Sequence, residues 1–99
     1  MSTMYDYTGW IVQATAGRDK GGLFCVVGVD QEQALLLLAD GKRRKASRPK
    51  RKKLVHVKPL TDHQHEYDHP AIQRLKQGEA LSDKALRRAL AAFRDQLEV

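Results

Sequence analysis

Residues 9–29 read GWIVQATAGRDKGGLFCVVGV, two apolar segments separated by a short loop with three glycines. In the first segment Val12, Ala14 and Ala16 fall on one face, and Gln13 and Thr15 on the other. That period of two is the signature of a half-buried strand. The loop, Gly17 to Gly22, calls for positive φ or close backbone approach, which glycine alone meets without steric cost. Leu23 to Val29 follows as an apolar second strand rich in β-formers.

Working outward, Asp30 to Gln33 reads as a polar turn and Ala34 to Ala39 as a third strand. Asp40-Gly41 is a hairpin signal, because a two-residue primed turn needs positive φ at both positions. It predicts a fourth, basic strand from Lys42, broken at Ser47-Arg48-Pro49 because proline cannot donate to a ladder. Leu54 to Val57 reads as a fifth strand, with Val55 and Val57 on one face. Five short strands with tight turns predict a small closed barrel, which hides its edges. Leu35 to Leu38 lacks the ten residues of helical period that a helix would show.

The period changes after residue 60. Asp68-His69-Pro70 is a helix start with proline in the first turn, and Gly78 a stop. Ser82 caps a second helix in which Leu86, Leu90, Phe93 and Leu97 form an apolar stripe. Leu81 before the cap is placed to pack on Leu86, and Asp83 to pair with Arg87 one turn on. The expected organisation is a barrel over residues 1–60 with a basic loop at 42–53. A polar, His-rich linker at 61–68 and a helical tail at 69–99 follow. The fold class is mainly β with an α-helical C-terminal tail of one or two helices.

With the loop and the Asp-Gly turn in place, the sequence resembles the KOW motif of ribosomal proteins and of elongation factors related to the NusG family. The residues that carry the resemblance are Gly9 to Gly21, Val26 to Val29, Ala39 to Lys45 and Pro49 to Val57. They cover about half the chain. This ordered string is similar to the small bacterial KOW-domain RNA-binding proteins. Those are themselves similar to the fourteen-e, six-e and twenty-seven-e ribosomal protein families. The resemblance implies a Src-homology-3-like barrel whose first loop approaches RNA. It also implies that Gly17 and Gly21 shape that loop while Arg18 and Lys20 contact phosphate. Gly22 beside Gly21 departs from the pattern and implies a more mobile loop.

The charge map points the same way. The chain carries 18 Lys and Arg against 12 Asp and Glu, a formal net charge of +6. Residues 42–53 hold nine cations and no acid: Lys42, Arg43, Arg44, Lys45, Arg48, Lys50, Arg51, Lys52 and Lys53. The forty-one residues before them hold two cations and five acids, and the remainder balances. Such a run repels itself. A polyanion offsets that repulsion by releasing condensed counterions as its phosphates are neutralised. A solvated edge that blocks strand aggregation needs only a few lysines. RNA, ribosomal RNA or the ribosome foremost, is the expected partner. The basic residues of 42–53, with Arg18 and Lys20, form the expected footprint. The second reading is a protein-interaction module of the transcription or translation machinery, with a protein contact through the helical tail.

Other classes are poorly served. The longest apolar run, Ala34 to Ala39, is far short of the roughly twenty residues needed to span a bilayer. The first ten residues carry no basic and apolar leader pattern, and no amphipathic helix adjoins the basic run. A membrane partner is not expected, and a cytoplasmic location is. One cysteine, Cys25, allows neither an internal disulfide nor a multi-cysteine zinc site, and its apolar setting reads as a buried thiol. His63, His65 and His69, with Asp62, Glu66 and Asp68, have metal-ligand chemistry but read as solvated linker. Tyr5, Tyr7 and Trp10 read as a cover for one end of the barrel, with base stacking as the other option. No nucleophile–base pair, phosphate loop or carboxylate pair can be assembled. Neither an enzymatic activity nor a cofactor is expected.

Overall fold

The computed structural model describes residues 4–97. Its elements are β1 (Ile11–Ala14), β2 (Leu23–Asp30), β3 (Leu35–Ala39), β4 (Lys50–Lys52), β5 (Val57–Pro59), α1 (Pro70–Lys76) and α2 (Asp83–Leu97). The strands form one antiparallel sheet in the order β4-β3-β2-β1-β5. The ladder is open: β4 and β5 are its two edges and, among the described residues, do not pair with each other. The sheet nevertheless curls. Lys52 on β4 donates to the carbonyl of Ala16, just beyond β1. Three strand spacings separate β4 from β1, about 14 Å in a flat sheet and more than a lysine spans. A register shift between Val26 and Gly28 interrupts the β2–β3 ladder, an irregularity of the kind that bends a strand and increases its twist.

Alternation along the strands sorts the side chains into two cores. Val12, Ala14, Phe24, Val26, Leu36, Leu38 and Val57 fill the inside of the curl. Ile11, Cys25 and Ala39 face the other way, onto Ile72 and Leu75 of α1 and Leu86, Ala89, Leu90 and Phe93 of α2. The helical tail therefore shares a core with the sheet. Within the polar segment 61–68, Thr61 and Tyr67 are buried. Thr61 accepts from Ile11 N at 3.0 Å, and Tyr67 donates to Ala89 O at 3.0 Å.

The structure differs from the sequence reading at the Asp40 turn, at Leu54–His56 and in the tail. Asp40-Gly41 does not make a two-residue hairpin. The Asp40 carboxylate accepts from Lys42 N and Arg44 N at 2.9 and 2.8 Å, winding residues 41–49 into a loop, so the basic strand forms only after Pro49. Leu54–His56 is a single 3-10 turn rather than a strand, and it leaves Val55 79% exposed while Val57 is buried. Strand pairing resumes at Val57–Pro59. In the tail, the His69 ring accepts from Ala71 N at 3.1 Å and caps α1, so His69 is not solvated linker. Ser82 caps α2 through Ala85 N at 3.1 Å, and Leu81 and Leu86 are both buried in the helix-facing core. Leu97, expected on the apolar stripe, is exposed.

Cys25 is fully buried between sheet and helices, and burial pushes its thiol up to about 12, with Lys76 opposing the shift weakly. The nucleophile is the thiolate, so native Cys25 is expected to resist alkylation at mildly alkaline pH and to react once denaturant opens the core. Leu86→Ala, which empties part of the same core, is expected to cost roughly 2–5 kcal/mol and to accelerate that labelling. Mass spectrometry of the alkylated chain checks both.

Candidate nucleic-acid interface

The loop between β1 and β2 is built as its glycines require. Gly17 and Gly21 adopt φ of +80° and +88°, a region in which other residues are strained. The turn is tied by Gly21 N to Ala14 O at 2.8 Å and Gly22 N to Asp19 O at 2.8 Å. Gly22 also has a packing reason in this loop. A Cβ there would stand 2.8 Å from the Phe24 ring and 3.0 Å from Asp19 O, so its lack of a side chain permits close packing. Arg18 and Lys20 project into solvent, whereas Asp19 between them turns inward and is 7% exposed.

Three segments of the chain converge on this loop. Arg44 donates to the buried Asp19 carboxylate at 2.9 Å, which brings the 41–49 loop alongside. Lys52 Nζ donates to Ala16 O at 2.8 Å, which brings β4. Thr15 N donates to His56 O at 2.9 Å, which brings the turn after Lys53. Of the sequence-predicted cations, Arg44 and Lys52 thus reach the loop directly, and Arg51 reaches Asp30 at the far end of β2.

Of the nine cations in 42–53, Lys42, Arg43, Lys45, Arg48, Arg51 and Lys53 are exposed and Lys50 is half-buried. Arg51 lies 3.5 Å from Asp30 while remaining mostly exposed. Two members of the expected footprint are structural instead. Arg44 is half-buried and committed to Asp19. Lys52 is only 9% exposed. It pairs across the sheet with Leu36, an inner-core residue, so its stem lies along apolar surface and its ammonium reaches out to a carbonyl. A Cβ at Gly17 would come within 2.9 Å of that ammonium.

The basic loop is further held by α2, through residues whose role the sequence did not expose. Asp83 accepts from Ala46 N at 2.7 Å, and Arg87 donates to Gly41 O at 2.7 Å. The expected Asp83–Arg87 pair is replaced by these two contacts because the loop offers an orphan amide and carbonyl where the helix begins. Gly41, at φ +77°, lies so close to α2 that a Cβ would overlap the Asp83 carbonyl oxygen. Beside this junction a hollow of about 230 Å³ is lined in part by Lys42, Arg87 and Arg94. The cationic surface therefore continues onto α2. The available signal was the spacing of Arg87 and Arg94, seven residues apart and so on one helical face.

The three histidines go separate ways. His63 faces Tyr5, His65 sits 3.2 Å from Asp62, and His69 caps α1. Backbone amides of Gln64 and His65 hold the Asp62 carboxyl below its ordinary value. Among the described residues no three His, Cys, Asp or Glu side chains gather into a metal-binding group, and no helix is long and apolar enough to cross a membrane. No protein-family model matches this sequence, and no characterised protein matches it at a significant level. The KOW-type resemblance therefore rests on the residues that carry it.

Lys52 and Lys53 are adjacent and chemically identical but differ in burial. Lys52→Ala is expected to lose a charge-assisted hydrogen bond and destabilise the fold by about 1.5–3 kcal/mol. Lys53→Ala is expected to change stability by less than about 0.5 kcal/mol. Urea unfolding of the two variants provides the comparison.

Proposed function

We propose that this protein is a non-enzymatic RNA-binding module of KOW type that works in the cytoplasm on ribosomal RNA or the ribosome. The observation that carries this reading is the division of labour within the basic run. Arg44 and Lys52 fasten the cationic segments to the fold, while Arg18, Lys20, Lys42, Arg43, Lys45, Arg48, Arg51 and Lys53 stand exposed around them. A surface meant only to keep a strand soluble has no need of a loop tied down by Asp19, Asp40, Asp83 and Arg87. Fixing the loop in advance lowers the ordering cost of binding.

Phosphate contacts position a protein but carry no sequence information. Double-stranded RNA is recognised mostly through shape and the spacing of its phosphates. A footprint of lysines and arginines held on a rigid frame suits that kind of recognition. The resemblance to ribosomal KOW proteins supports folded ribosomal RNA as the target. It also supports the Gly17–Gly21 loop as the part that approaches closest.

Affinity for structured RNA is expected to fall steeply with salt. With about six phosphates neutralised, log K drops by roughly four to five per tenfold increase in salt. Changing Lys42, Arg43, Lys45 and Arg48 to glutamine is expected to leave the melting temperature nearly unchanged. Binding should weaken by orders of magnitude, and the salt slope should flatten by about three. Filter-binding titrations at several salt concentrations, with co-sedimentation on ribosomes, test the proposal. A slope near zero, or a quadruple variant that binds RNA and ribosomes normally, would falsify it. Loss of a protein partner with RNA binding intact would instead favour an interaction module.

A further inference from the structure

At the end of the sheet where β1 begins, a hollow of about 530 Å³ is lined by Tyr5, Tyr7, Trp10 and His63. Tyr7 and Trp10 pack against the inner core and cover that end of the curl. Tyr5 has a different position: it is 50% exposed. It is nonetheless held in place, because Met4 beside it exchanges two hydrogen bonds of 2.9 Å with the Gln31 side chain. Tyr5 meets Tyr7 edge to face at 4.9 Å, Tyr7 meets Trp10 at 4.7 Å, and His63 lies 6.5 Å from Tyr5.

This geometry discriminates between ligands. Rings in direct edge-to-face contact enclose no gap for a compact cation, and the four lining side chains include no carboxylate to attract one. They do present aromatic surface on which a planar group can lie. The basic strand β4 leads to the same region. Arg51 pairs with Asp30, and Asp30 directly precedes the Gln31 that clamps Met4. An aromatic surface next to a cationic strand is the combination that holds single-stranded nucleic acid, bases stacked on rings and phosphates on cations.

We propose that this hollow is a second subsite, adjoining the phosphate footprint on its Arg51 side, that takes an unpaired nucleobase of RNA by stacking on Tyr5. It rests on the RNA-binding reading and adds to it a preference for target sites where an unpaired base lies beside a folded or paired segment. Tyr5 supplies the stacking face, Tyr7 and Trp10 hold it from behind, and His63 closes the side.

Trp10 is the sole tryptophan of the chain, and its ring centroid lies 5.9 Å from that of Tyr5, so its fluorescence reports on the hollow. The experiment titrates the full chain with a short single-stranded oligoribonucleotide and, separately, with a fully paired RNA duplex. Both anisotropy of labelled RNA and Trp10 emission are followed. The single strand is expected to quench Trp10 saturably, while the duplex binds without doing so. Tyr5→Ala, at a half-exposed position, is expected to keep the melting temperature and duplex affinity and to lose about tenfold in single-strand affinity. Tyr5→Phe should retain it. Equal quenching by duplex and single strand, or unchanged single-strand affinity in Tyr5→Ala, overturns the subsite while leaving the phosphate footprint intact. Absence of binding to both RNAs overturns the RNA reading and the subsite together.

Discussion

A sheet whose residues alternate between two apolar faces must have both faces covered, and in this chain they are covered by different means. The inner face, carrying Val12, Phe24, Val26, Leu36 and Leu38, is buried by curling the sheet on itself. The outer face, carrying Ile11, Cys25 and Ala39, is buried by α1 and α2. Each fully buried aliphatic or aromatic side chain contributes about 1.5–3 kcal/mol, so neither face can be left to water in a chain of 99 residues. The helices are thus required by the sheet, and the position of α2 follows from the strand residues it must cover.

That position has an electrostatic consequence. Docking α2 on the sheet sets its first turn beside the loop that follows β3, where Asp83 and Arg87 satisfy a backbone amide and a carbonyl of that loop. On the opposite flank the buried carboxylate of Asp19 anchors Arg44. Each tie pairs a charged group with a backbone dipole or an opposite charge, which stiffens the loop while using few of its cations. The exposed lysines and arginines are left mutually repelling on a fixed frame. Such an arrangement gains most from a ligand that brings several negative charges at once.

Much of this was legible along the chain. The glycine loop, the alternation of β1, the proline start of α1, the Ser82 cap of α2 and the crowding of charge at 42–53 are all local features. Each is dictated by backbone sterics, by side-chain period or by composition, none of which needs the fold to be known. Boundaries were less legible where a side chain could choose between partners. Asp40 reads as half of a hairpin turn by type, yet its carboxylate caps a wider loop. Leu54 to His56 carries strand-like residues but is needed to turn the chain from β4 to β5 across the end of the sheet.

Charge and burial were where local reading stopped. The sequence by itself determined that the basic excess lies in one window and that a run of short strands precedes a helical tail, because composition and periodicity are properties of the chain. Only the tertiary structure decided which cations are available to a partner. Lys52 and Lys53 are indistinguishable in sequence, but one points into the curl and spends its ammonium on Ala16 while the other faces water. Arg44 and Arg43 divide in the same way, because Asp19, twenty-five residues away from Arg44, lies beside only one of them. The direction of a side chain depends on pleat, register and the curl of the sheet, and these are set by contacts between residues far apart in the chain.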